Sequence, residues 1–107
     1  PMDGRELDPR LLKVLGNALV QRAPDMLQGA LSLVVNKVPV SWGHAGDEAC
    51  VFDGSRFVLH AGMSAGLSQE TPDKVLTALL YALEPVVTRV AGSVLQTHQD
   101  RVTDSTK

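Results

Sequence analysis

The clearest pattern of hydrophobic positions lies near the start of the chain, where apolar residues recur at helical spacing. They fall on one helical face at Leu11, Leu12, Leu15, Ala18 and Leu19. Asp8 and Pro9 come just before them, and an aspartate cap followed by proline favours the start of a helix. Because Pro24 lacks an N–H, it ends or kinks this helix, and a second short helix can begin at Pro24 and Asp25.

A second helical pattern begins after Thr71 and Pro72 and continues in phase beyond Pro85. Its apolar face starts with Val75, Leu76, Leu79, Leu80 and Leu83. We therefore predict one long C-terminal helix from Pro72 to about His98, kinked at Pro85. Its roughly 27 residues would span about 40 Å, whereas a domain of this length is about 33 Å across. The helix must bend sharply or project, and a projecting apolar stripe would need a partner.

Residues 48–61 alternate between apolar and polar positions, which is typical of two strands. Asp53, Gly54 and Ser55 interrupt the alternation and predict a tight turn, with Asp53 and Gly54 supplying the positive φ angles. The sequence therefore predicts a β-hairpin at 48–61.

The segment from Leu31 to Trp42 has two interpretations. It either completes the second helix or begins a strand, and its β-branched residues favour a strand from about Leu31 to Trp42. Pro39 cannot donate to a ladder, so such a strand would lie at a sheet edge or break there.

Together these elements predict one two-layer α+β domain over residues 1–107. It comprises one or two N-terminal helices, an antiparallel sheet of about three strands and the long kinked helix. The chain is 44% hydrophobic and 4% aromatic, so Leu, Val and Ala must build the core. The polar tail, residues 100–107, is expected to fray.

Charge and cysteine content narrow the possible functions. The net charge is -2, and the ten Lys and Arg residues are scattered along the chain, which argues against nucleic-acid binding. The longest apolar stretches fall short of the ~20 residues of a membrane span, so no membrane association is expected. Because Cys50 has no second cysteine to pair with, the chain fits a reducing compartment, and we expect a cytoplasmic location.

One string resembles catalytic machinery, the G-x-S-x-G of residues 62–66, with Ser64 at its centre. Asp73 and His98 follow in the order of an α/β-hydrolase triad. However, the chain is too short for the crossover units of that fold, and the next helix signal comes only at Thr71. We interpret the string as a loop, and a small serine hydrolase using Ser64 is an alternative function.

Other candidate chemistry is weaker. Cys50 with His44 or His60 has the composition of a nucleophile pair, and these three with Asp47 have that of a metal site. No metal-ligand spacing of the usual kinds occurs. We therefore predict no catalytic, cofactor-binding or metal site, and a Cys50 that behaves as a small buried hydrophobe.

The sequence favours a non-catalytic protein–protein interaction module of the adaptor or chaperone kind. We expect a homodimer built on the C-terminal helix, with an unidentified protein partner. The predicted interface residues are Trp42, Val86, Val90 and Val94, although Trp42 fits a lid over the core equally well. The order helix–meander–helix is shared in outline by small dimeric adaptors, secretion chaperones and nucleoid-associated proteins. A nucleoid-associated or other nucleic-acid-binding dimer is accordingly a further alternative.

Overall fold

Four helices and three strands make up the part of the chain that the structure describes. The computed structural model describes residues 5–105, and for residues 98–105 it describes the backbone alone. The elements are α1 (Pro9–Arg22), α2 (Asp25–Lys37), β1 (Val40–Gly43), β2 (Cys50–Phe52), β3 (Phe57–His60), α3 (Gly62–Leu67) and α4 (Pro72–Ser105). The predicted α+β class is confirmed, and both possible N-terminal helices are present.

The sheet is mixed, so the prediction of an antiparallel sheet was wrong. Its strand order is β1-β3-β2, with β3 antiparallel to β2 and parallel to β1. The second strand of the hairpin, β3, is the one that pairs with β1. The loop after Gly43 carries the chain across to the far side of the sheet, where β2 forms, and the hairpin then returns as β3 between β2 and β1. The outer edge of β1 is itself covered: Trp42 donates to the Arg5 carbonyl at 2.8 Å, and Leu7 donates to the Val40 carbonyl at 2.9 Å.

The strand predicted over residues 31–42 is confined to β1. Residues 31–37 belong to α2, and the chain becomes extended only beyond Val38. Leu31 and Val34, three residues apart, are both buried in the core. Burial at helical spacing therefore outweighs the β propensity of the valines in this segment. Pro39 precedes the strand, and β1 lies at one side of the three-stranded sheet, as the proline indicated.

Side-chain hydrogen bonds stabilise the start of the first helix and the turn of the hairpin, as the sequence predicted. The Asp8 carboxylate accepts a hydrogen bond from the Arg10 N–H at 2.9 Å and caps α1. Asp53 accepts from the N–H groups of Ser55 and Arg56, both at 2.9 Å, and these bonds hold the pKa of its carboxyl below the usual value. Gly54 alone has positive φ in this turn, at 100°, so the expectation of positive φ at Asp53 was wrong.

The helices cover the inner face of the sheet in the predicted two layers. This face carries the strand residues Val40, Trp42, Cys50, Phe57 and Leu59, all buried in one core cluster. The rings of Phe52 and Phe57 lie next to each other with centroids 5.2 Å apart. The helices contribute Leu15, Leu19, Leu31, Leu79, Leu83, Val87 and Ala91. Leucine, valine and alanine thus form most of the core, as the composition indicated.

Helix α4 projects from the domain. It contains 34 residues with Pro85 inside, a length of about 51 Å, and the molecule measures 55 × 25 × 22 Å. The helix continues beyond the predicted end at His98 to Ser105. Thr106 and Lys107 lie outside the described residues, and fraying of 100–107 stays a prediction.

The apolar character of α4 extends along most of its length. An 18-residue window within Pro72–Thr97 has a mean hydropathy of 1.4, and 33% of that window is buried. By length and composition such a helix is able to cross a membrane, a test that core helices of soluble proteins also pass. The expectation of no membrane association therefore stays a prediction.

Two glycine substitutions should change stability in opposite directions. A Cβ at Gly43 would lie 2.9 Å from Val58 Cγ1, so Gly43→Ala should lower the free energy of unfolding by about 1–3 kcal/mol. At Gly29, in the middle of α2, a Cβ meets no atom within 4 Å. Gly29→Ala should therefore raise the free energy of unfolding by about 1 kcal/mol. Urea denaturation at one fixed protein concentration checks both, and equal effects would contradict this packing.

Candidate functional site

Ser64 lies inside a helix, so the interpretation of residues 62–66 as a loop was wrong. Helix α3 starts at Gly62, directly after β3, and no non-glycine residue in 5–105 has positive φ. A nucleophile elbow instead holds its serine on a sharp, strained turn. The Ser64 hydroxyl accepts a hydrogen bond from Arg5 Nη2 at 3.2 Å. Its described partner is therefore an arginine, which cannot serve as a general base.

The structure does not bring Ser64 and His98 together. Ser64 lines a cleft of about 670 Å³ beside Val75 and Leu79, which lie in the first part of α4. Along the helix, His98 lies about 28 Å beyond Leu79. The His98 side chain is outside the described residues, but the backbone separation already exceeds any hydrogen bond. Asp73, the acid of the predicted order, is exposed in the first turn of α4.

His60 and Cys50 do not form a pair either. Cys50 lies opposite Leu59 on the inner face of the sheet, and His60 is next along the strand, so its side chain is on the outer face. The His60 ring accepts a hydrogen bond from the Gly62 N–H at 2.9 Å, which fixes the start of α3. Among the described side chains, no three His, Cys, Asp or Glu are placed to hold a metal ion.

The four predicted interface residues divide into two pairs. Trp42 and Val86 are both 7% exposed and belong to the core, so they offer little surface to a partner. Val90 and Val94 are half-buried and line an open groove of about 530 Å³ between α2, β2 and α4. Its other lining residues are Val34, Val38, Phe52, Ser93 and Thr97. We call this surface the valine groove. It is largely apolar and open to solvent.

A second groove, which the sequence analysis missed, runs between β2 and the middle of α4. Its volume is about 340 Å³. The strand side is formed by Glu48, Ala49, Cys50 and Val51, and the helix side by Tyr81, Ala82, Pro85, Val86 and Arg89. We call it the edge groove. Tyr81, Pro85 and Arg89 follow one another at intervals of four residues, so they share one helix face. This spacing is the feature of the sequence that could have indicated the helix side of the groove.

The exposure of the edge groove contrasts with the burial of Cys50 on its floor. Tyr81 is 78% exposed, whereas Cys50 is 4% exposed. Burial raises the pKa of the Cys50 thiol to about 11, against a smaller lowering by the charge of Arg89. Cys50 is thus a neutral apolar side chain at physiological pH, as predicted for a small buried hydrophobe.

Comparisons with protein-family models, with curated proteins and with solved structures find no match for this chain. A function for this chain must therefore be argued from its own surface features, which are the two grooves, the cleft beside Ser64 and the edges of the sheet.

The state of Cys50 gives a direct chemical prediction. With its pKa near 11, the folded protein should react with a disulfide reagent at pH 8 at least about 100-fold more slowly than free cysteine. The unfolded thiol ionises near pH 9 and the folded one near pH 11, so stability should fall as pH rises through this interval. Timed thiol labelling, with urea-unfolded protein as the control, checks the first effect. Equal rates in both states would show an accessible, reactive thiol.

Proposed function

We propose that this chain is a non-catalytic protein–protein interaction module that acts as a homodimer built along α4. The observation that supports the proposal is the valine groove on the second half of a helix about as long as the whole molecule. Helix α4 spans about 51 Å, in a molecule whose shorter dimensions are 25 and 22 Å. The dimer would be the form that presents a binding surface to a further protein, as small adaptors and chaperones do.

The size of the valine groove indicates how large the dimer interface must be. Full burial of a valine contributes at most about 1.5–3 kcal/mol, and Val90 and Val94 are already half-buried. Association costs at least about 4 kcal/mol in lost freedom of motion. Two valines therefore do not hold a dimer together, and stable interfaces bury about 1,200–2,000 Å² in total. The proposed contact must extend along α4 beyond the groove.

Sedimentation across a dilution series tests the proposal. The chain should sediment as a dimer of twice 11.4 kDa at micromolar concentration. Val94→Asp places a carboxylate in the valine groove and should weaken the dimer at least about tenfold, because an unpaired charge would be desolvated there.

The matched control is Thr77→Asp on the same helix. Thr77 is exposed and lines neither groove, so this variant should keep the dissociation constant of the parent chain. A monomer at every concentration, or equal weakening by both variants, would contradict a dimer built on the valine groove. Circular dichroism confirms that both variants are folded.

A further inference from the structure

The short segment before α1, residues 5–7, lies along the outer edge of β1. Trp42 donates to the Arg5 carbonyl at 2.8 Å, and Leu7 donates to the Val40 carbonyl at 2.9 Å. The pairing is an isolated antiparallel bridge and does not extend into a longer ladder. We call residues 5–7 the strap. It occupies main-chain groups of β1 that would otherwise be free to pair with another strand.

The strap is the more weakly held of the two neighbours of β1. On the other side, β1 and β3 pair along four residues, and Phe57 and Leu59 of β3 are 1% exposed or less. Within the strap, Leu7 is buried, whereas the other two residues are exposed. A segment held by few buried contacts opens at a lower free energy than the core to which it is attached.

The cleft beside Ser64 lies between the strap, α3 and α4. The three strap residues line it together with Ser64 and Leu67 of α3 and with Val75 and Leu79 of α4. The Arg5 guanidinium donates to the Ser64 hydroxyl at 3.2 Å, in an exposed hydrogen bond. This bond joins the strap to α3 across an open cleft, so it adds a side-chain contact where packing is incomplete.

We propose that the strap opens as a unit, separately from the core, and that the bond between Arg5 and Ser64 is the latch that holds it closed. Opening breaks the latch and both main-chain bonds to β1, and it withdraws Leu7 from the core. The hinge is Asp8, whose carboxylate stays hydrogen-bonded to the first turn of α1. Such opening is independent of the proposed homodimer, because no strap residue lines the valine groove.

Opening changes the surface that the chain exposes. The outer edge of β1 gains a free N–H at Trp42 and a free C=O at Val40, the groups with which an added strand pairs. The Trp42 side chain lines the cleft and is 7% exposed while the strap is closed. In the open form it becomes an accessible aromatic side chain of the type enriched at protein interfaces. The strap thus controls whether Trp42 is a core residue or a surface residue.

Residue-resolved hydrogen exchange of the unmodified chain tests separate opening. The amides of Leu7 and Trp42, the strap amides, bond on the outer side of β1. The amides of Phe57 and Ala61, the control amides, each donate at 2.9 Å to a carbonyl of the β1 segment on its other side. After correction for intrinsic rates, the strap amides should exchange at least about tenfold faster than the control amides. Equal or greater protection of the strap amides would overturn the proposal, because the strap would then open only together with the sheet.

Ser64→Ala tests the latch. Loss of the acceptor of one hydrogen bond should speed exchange at the strap amides about two- to tenfold and leave the control amides unchanged. The matched control is Ser68→Ala at the end of the same helix. Ser68 lines the same cleft, but its hydroxyl donates to the Ala65 carbonyl rather than to the strap. Equal effects of the two variants would show that the bond from Arg5 is not a latch.

A reversible lock identifies the motion that exposes the strap amides. Glu6 and Ser41 form a non-hydrogen-bonded antiparallel pair, with a Cα separation of about 4.5 Å, which a disulfide spans. In a Cys50→Ala background, Glu6→Cys with Ser41→Cys should, once oxidised, slow exchange of the strap amides to the level of the control amides. Reduction of the same protein should restore fast exchange. Fast exchange in the cross-linked chain would overturn strap opening as its cause.

Discussion

The burial of the first half of α4 against α2 and the sheet is the contact on which the rest of the structure depends. Leu79, Leu83 and Val87 from this helix are nearly inaccessible to solvent. They meet the inner face of a sheet too small to bury its own apolar side chains. Because this half of α4 is fixed, the direction of the second half is fixed too, and Val90 and Val94 are held beside Phe52.

The sequence predicted the elements whose signals are local. Asp8 caps a helix and Gly54 turns the hairpin, since each acts through atoms within a few residues. Residues 31–37 were assigned to a strand because the preference of valine for strands is weaker than the burial of Leu31 and Val34 in a helix. The parallel pairing of β1 with β3 was missed because it depends on which side of the hairpin meets β1.

The same distinction applies to the candidate site. Val90 and Val94 were predicted because they continue a helical stripe that can be read along the chain. The edge groove could not be predicted in the same way, because the free edge belongs to β2 only once β3 has taken the central place. The contact between Arg5 and Ser64 joins residues 59 positions apart, which no local pattern reveals.

Pro85 gives α4 a mechanical property that follows from its missing N–H. The Tyr81 carbonyl, four residues earlier, has no helical donor, and helices bend most readily where this bond is absent. Core residues lie on both sides of Pro85, however, with Leu83 before it and Val87 and Ala91 after it, so packing holds the helix at this weak point. Glu84, next to this point, is tied to Arg22 of α1, so the pivot is anchored on one side. A change of angle at Pro85 would therefore pull Val87 and Ala91 out of the core.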